Sequence, residues 1–104
     1  MTPLNTLETT LMLNELDDND LYLLYKEQPA GDGQRAFAIL VERYRPILAS
    51  YMRKTLKVGD PATRDDIAQD VFVKLAGVAD KFNADTSSVA SWMFWLAKRQ
   101  LKSI

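Results

Sequence analysis

The chain has neither cysteine nor histidine in its 104 residues. Without cysteine there is no disulfide, no thiol nucleophile and no thiolate metal site. Without histidine the commonest general base near neutral pH is gone, and with it the commonest imidazole ligand. An enzyme is therefore disfavoured and no cofactor is expected. Glycine and proline are sparse, at four each, which leaves little material for hairpin turns. No run approaches the ~20 consecutive apolar residues of a membrane span, so no membrane insertion is expected. Met1 to Glu15 carries no basic residue ahead of its apolar positions and does not read as a secretory signal. A cytoplasmic location is the expectation.

The hydrophobic fraction of 47% and charged fraction of 26% are those of an ordinary globular protein. The length fits one domain, since domains commonly take roughly 100–150 residues. Net charge is only −1, but it is unevenly spread. Residues 1–34 hold seven acids (Glu8, Glu15, Asp17, Asp18, Asp20, Glu27, Asp32) against Lys26 alone. Residues 35–104 hold twelve bases against seven acids. After Asp85 no acid follows, while Lys98, Arg99 and Lys102 do. This divides the chain into an acidic leader and a basic C-terminal part. Solvated helix faces give the plainer account of the same charges.

Apolar periodicity predicts an all-α fold, a compact bundle of about four helices over 18–104 with a partly ordered acidic leader over 1–17. Leu4, Leu7, Leu11, Leu13 and Leu16 are scattered through the leader among Thr and Asn, which predicts a loose segment that becomes helical against a partner. The first firm helix spans about Asp18 to Gln28, N-capped by Asp18 or Asn19, with Leu21, Leu24 and Tyr25 inward. Pro29 to Gly33 breaks it. The second spans about Gln34 to Lys57, with Phe37, Leu40, Val41, Tyr44, Leu48, Tyr51 and Met52 on one face. Pro46 should kink or divide it. Gly59 is placed to cap that helix, Asp60 to N-cap the next, and Pro61 to open it. The third helix continues to about Ala79, with Ile67, Val71, Phe72 and Leu75 inward. A loop over Asp80–Ser88 carries Phe82, and a fourth helix starts near Ser87 or Ser88.

Two features exceed what folding needs. On the fourth helix, Val89, Trp92, Met93 and Leu96 suffice for a buried stripe, yet Phe94 and Trp95 add two rings just before Lys98, Arg99 and Lys102. Rings beside cations suit single-stranded nucleic acid, whose bases stack and whose phosphates pair, though Trp92 also reads as core. On the third helix, Asp66, Gln69 and Asp70 recur at spacings of three and four and project from one polar face. Such a face fits a basic protein surface through Arg–carboxylate pairing. Asp65, Asp66 and Asp70 also admit a magnesium–diphosphate reading, which needs a second acidic cluster across a pocket. The only other cluster, Asp17-Asp18-Asn19-Asp20, stands at a helix start where carboxylates favour the dipole.

Three runs then coincide in order and spacing: Ala36-Phe37 through Tyr44-Arg45-Pro46, Asp66 through Leu75, and Ser91 through Lys98. They resemble the promoter-melting domain of extracytoplasmic-function sigma factors, whose patterns read approximately AF..L..RY.P, D..Q.VF..L and..WL..IA. The resemblance covers about residues 18–104. It implies a non-catalytic transcription initiation factor that binds core RNA polymerase and melts the promoter minus-ten element. Asp66, Gln69 and Asp70 match the contact with the clamp helices of the beta-prime subunit. Lys81, Phe82, Asn83, Ser87 and Ser88 match the loop that captures a base flipped from the single-stranded non-template minus-ten element. Trp92, Trp95, Lys98, Arg99 and Lys102 match the surface that meets that strand and the upstream duplex edge. An anti-sigma factor is a further partner the resemblance allows.

The chain also departs from the pattern. Arg99 stands where Asn is frequent, and Trp95 where a polar or basic residue is usual. The acid expected near Ser103 is missing, as is the helix-turn-helix domain that reads the minus-thirty-five element, so a piece of a longer factor is expected. The alternative is a helical protein-interaction module without a DNA role, whose basic face meets an acidic partner. A magnesium-dependent prenyl-transferase-like enzyme is a third reading, and no such activity is expected.

Overall fold

Two aspartates set helix starts. Asp17 accepts the backbone N–H of Asp20 at 2.8 Å, and Asp60 accepts that of Thr63 at 3.3 Å and its hydroxyl at 2.7 Å. The Thr63 hydroxyl holds the Asp60 carboxyl below its ordinary pKa. Pro61 then takes the first helical position, as its missing N–H allows. The computed structural model describes residues 6–102. Among them are five helices, α1 (Thr6–Leu13), α2 (Asp18–Glu27), α3 (Asp32–Lys54), α4 (Pro61–Gly77) and α5 (Val89–Lys102), with a 3₁₀ turn at Ala79–Lys81 and no strand. The all-α expectation holds. The cap of α2 falls one residue earlier than expected, which leaves Asp18 and Asn19 free for longer-range work.

The main core gathers one stripe from each of four helices. Leu40, Tyr44, Leu48 and Met52 of α3 meet Ile67, Val71 and Leu75 of α4, Val89, Met93 and Ala97 of α5, and Tyr22 of α2. Burying each large apolar side chain contributes about 1.5–3 kcal/mol. Tyr22, absent from the stripe read off the sequence, is the bulkiest fully buried side chain, whereas Tyr25 is only half-buried and packs on Phe37 with ring centroids 4.6 Å apart. A smaller cluster of Leu13, Leu21 and Ala36 joins the end of α1 to α2 and α3.

The described part of the leader is not loose. Its helix α1 packs on α3, and Arg43 secures the junction. The Arg43 guanidinium donates to the carbonyls of Asn14 (2.7 Å) and Leu16 (2.9 Å) and to the Asp18 carboxylate (3.0 Å). The Tyr44 hydroxyl donates to the other Asp18 oxygen. The partner that orders the leader is thus this chain's own α3. Leu4 lies outside the described residues.

Two further expectations are corrected. Pro46 does not divide α3, which runs through it because Tyr44, Leu48 and Met52 stay buried on one face while Pro46 is exposed. The helix stops at Lys54, and the left-handed residue that turns the chain is Lys57 (φ 62°), not Gly59. The backbone N–H of Val58 returns to the Met52 carbonyl at 2.9 Å and fixes that turn.

Gly33 sits in the first turn of α3 against the end of α2. A Cβ there would lie 1.5 Å from the Gln28 carbonyl oxygen. Backbone cannot yield as a side-chain tip does, so Gly33→Ala is expected to destabilise the fold by about 3 kcal/mol or more, read from the urea midpoint. A second expectation concerns alkaline pH. Burial, and the hydrogen bond to Asp18, push the Tyr44 hydroxyl up to about 12 from 10. A raised folded pKa means that stability is fully present below pH ~10 and is lost as pH rises through ~12. Burial raises Tyr22 as well, in the same direction. Tyr44→Phe should cost about 1–2 kcal/mol at pH 7 and make the alkaline decline shallower, as followed by denaturant titration at several pH values.

Candidate nucleic-acid and protein interfaces

The outward side of α4 carries the first candidate. Asp66, Gln69 and Asp70 are all exposed, and Ile67, Val71 and Leu75 point the opposite way into the core. The sequence reading of this face missed Val73, which is 66% exposed. It lies four residues from Gln69 and three from Asp70, so it stands among the polar groups on the same strip. An exposed valine off the core stripe was the available signal. Beside this strip runs a groove between α3 and α4 of about 650 Å³, lined by Phe37, Val41, Arg45, Asp65, Gln69 and Val73 among others. The face is therefore a polar strip with apolar ground alongside, so it offers a partner both hydrogen-bonding and apolar contact. No group of three or more acidic residues positioned to hold a metal ion occurs among the described residues.

The second candidate lies on α5 and the segment before it. Trp95 is 55% exposed, and the Arg99 guanidinium carbon stands 4.8 Å from its ring centroid. That contact presents a cation and an aromatic face as one unit. Lys98 is exposed beside Arg99 in sequence, Lys81 is exposed on the segment before α5, and the side chain of Lys102 lies outside the described residues. Trp92 is half-buried, Ser87 and Ser88 likewise. Between the end of α4 and α5, Val78, Lys81, Ser91, Trp92, Trp95 and Leu96 line a hollow of about 620 Å³. Its walls are mostly apolar and aromatic, with the Lys81 ammonium as the charged group.

Three rings expected at the surface behave differently. Phe82 is fully buried, so its ring is not presented to a ligand. It packs edge-on against Trp92 (5.3 Å between centroids) and Tyr22 (4.8 Å), and so props Trp92 from beneath. Phe94 is half-buried because Tyr51 of α3 reaches it at 4.8 Å. Trp95 alone keeps the exposure foreseen for the pair. The physical reason is that α3 and α2 each lend a tyrosine to cover a ring that α5 and its loop cannot bury by themselves.

The loop itself is braced. Asn83 Oδ1 accepts the backbone N–H of Asp85 at 2.9 Å, and the Asn83 carbonyl accepts those of Thr86 and Ser87 at 3.2 and 3.0 Å. Part of Asn83 is thus committed to shaping the turn. Ser88 Oγ accepts the Ser91 N–H at 3.1 Å and caps the helix start locally. Helix α2 braces the loop from outside: Asn19 Oδ1 accepts the Val89 N–H at 2.9 Å, and Lys26 Nζ donates to the Phe82 carbonyl at 2.7 Å.

A small all-α domain with an exposed polar strip on α4 and a cationic aromatic face on α5 invites comparison with known families. Residues 40–103 match the family described as Sigma-70 region 2. The match takes in α4, the loop, α5 and most of α3. The chain belongs to the sigma-70 region 2 family. Neither the curated proteins nor the solved structures give a significant match. Sigma-70 region 2 domains are non-catalytic parts of transcription initiation factors, and membership carries a general association with core RNA polymerase and promoter DNA. No helix among the described residues is long and apolar enough to cross a membrane.

Proposed function

We propose that this sigma-70 region 2 domain, of the extracytoplasmic-function type, docks on the clamp helices of the beta-prime subunit through α4 and holds melted minus-ten DNA on α5. The observation that carries the reading is the exposed Trp95–Arg99 pair at the mouth of an aromatic hollow, on the helix adjoining the polar strip. Asp66, Gln69 and Asp70 supply the hydrogen-bond acceptors for arginines of the partner, with Val73 as the apolar contact between them. A base flipped from the non-template strand enters the hollow beside Trp92 and Trp95, and Lys81 meets its phosphate. Flipping costs a few kcal/mol of stacking, which ring contacts of about 1–3 kcal/mol each offset. Phe82 and Asn83 shape this site from below and beside it, while Ser87, Ser88, Lys98, Arg99 and Lys102 line the strand's path. An anti-sigma factor covering either face is compatible with this arrangement.

Binding to purified core RNA polymerase tests the docking half. Replacing Asp66, Gln69 and Asp70 together by Ala should weaken binding about 100-fold, roughly 3 kcal/mol, with unfolding unaltered. Retained binding would refute the assignment of α4. The DNA half rests on Trp95. Its exposure means that Trp95→Ala should leave the melting temperature within about 2 °C, while affinity for single-stranded minus-ten DNA falls about tenfold. An unchanged affinity in a fluorescence-anisotropy titration would favour the alternative, an interaction module whose basic face meets an acidic protein.

A further inference from the structure

Helix α2 lies wholly before residue 40, where the family match begins, so its task must be read from its contacts. Three of its side chains converge on one short stretch far along the chain. Lys26 grips the carbonyl of Phe82, at the start of the loop. Asn19 takes the N–H of Val89, the first residue of α5, across 70 residues of sequence. Between them Tyr22 carries Phe82 and Trp92 on its ring, at 4.8 and 6.3 Å. The loop is thus held at its first residue, at the residue just past its end and beneath its ring. Its interior is already ordered by the Asn83 turn, so fixing both ends fixes the whole segment as a unit.

We infer that α2 is a bracket for the base-capture segment, and that Asn19 and Lys26 are positioning residues for minus-ten recognition. This rests on the reading of the α5 hollow as the base site. Neither residue touches that hollow. Asn19 acts by capping α5 in trans: the early N–H groups of a helix have no partner in their own helix, and Ser88 Oγ serves Ser91 rather than Val89. Without the Asn19 oxygen the first turn of α5 is free to fray, and Trp92 stands in that turn. Lys26 acts on the other end, where the Phe82 carbonyl sits directly beyond Lys81, a wall of the hollow. Recognition of one base over another needs walls that do not give, whereas attraction of phosphates to lysines does not. Loss of the bracket therefore lowers discrimination more than it lowers affinity.

The test uses the whole chain and a single-stranded oligonucleotide selected by the wild type from a randomised pool, set against its scramble. Asn19→Ala should reduce the ratio of the two affinities about fivefold, the factor that corresponds to one N-cap. Affinity for the scramble and for core polymerase should stay within about twofold, since the phosphate and docking contacts are untouched. Asn19→Asp keeps an acceptor oxygen and should restore the ratio. Lys26→Met, which keeps the stem and removes the donor, should lower it independently. Amide exchange over residues 82–92 should quicken in Asn19→Ala while that of α3 does not. An unchanged ratio in a folded Asn19→Ala, or equal losses on both oligonucleotides, overturns the bracket. A wild type that shows no preference overturns the minus-ten reading itself, and the role of Asn19 with it.

Discussion

Tyr22 has no exposure to solvent, and its hydroxyl donates to the Leu75 carbonyl at 2.6 Å. A buried phenol without a partner is costly, so this bond dictates that α2 lie across α4 at one height. With the hydroxyl fixed, the ring face is fixed, and Phe82 and Trp92 pack on it edge-on. One side chain thereby ties α2, α4, the loop and α5 together. The candidate base site is built on the far side of that packing: Trp92 is half-buried because Tyr22 and Phe82 stand behind it. Removing the ring would leave a cavity under the indole that lines the hollow.

The placement of the two candidate faces follows from how α4 is shared. It packs against α3 and against α5, and its third side, with Asp66, Gln69, Asp70 and Val73, stays outward. Among its described side chains, α5 in turn exposes Ser91, Trp95, Lys98 and Arg99, because Phe94 is taken by Tyr51 and Met93 and Ala97 by the core. Each face belongs to a different helix, and neither is needed to bury the other. An acidic strip and a basic one on the same small domain attract opposite partners, and a net charge of −1 conceals both.

Much of this was legible in the sequence, for a physical reason. The four helices α2 to α5 declare themselves through periodicity, and the Asp60-Pro61 start needs only local geometry, so the existence of the one and the place of the other were read correctly. The outward side of α4 followed from the same period. What was not legible depends on atoms far apart in sequence. Asp18 or Asn19 read as the cap of α2, yet Asp17 is the cap, and Asp18 binds Arg43 and Tyr44. Phe82 looked like a surface ring in a loop, and its burial depends on Tyr22, sixty residues earlier. Pro46 looked like a break, and the buried residues flanking it on α3 hold the helix together across it.

The leader shows the same limit most plainly. Its leucines have a weak helical pattern, too short to be stable alone, since isolated helices below ~12–15 residues are marginal in water. Packing of Leu13 and Leu16 on Leu21 and Ala36 supplies part of what is missing. Arg43 supplies more: its planar fork reaches two carbonyls past the end of α1 and the carboxylate that opens α2. One guanidinium thus bridges the turn that follows α1 to the first residue of α2. The leader is ordered in part by a residue of α3 whose role no reading of the leader could supply. Arg43 and Tyr44 are also part of the run that resembles the sigma pattern, and here they are neighbours holding the same aspartate. Their place in that run is thus explained by packing, while the residues proposed to meet a partner, Asp66, Gln69, Asp70 and Val73 on α4 and Trp95 and Arg99 on α5, are ones the core leaves exposed.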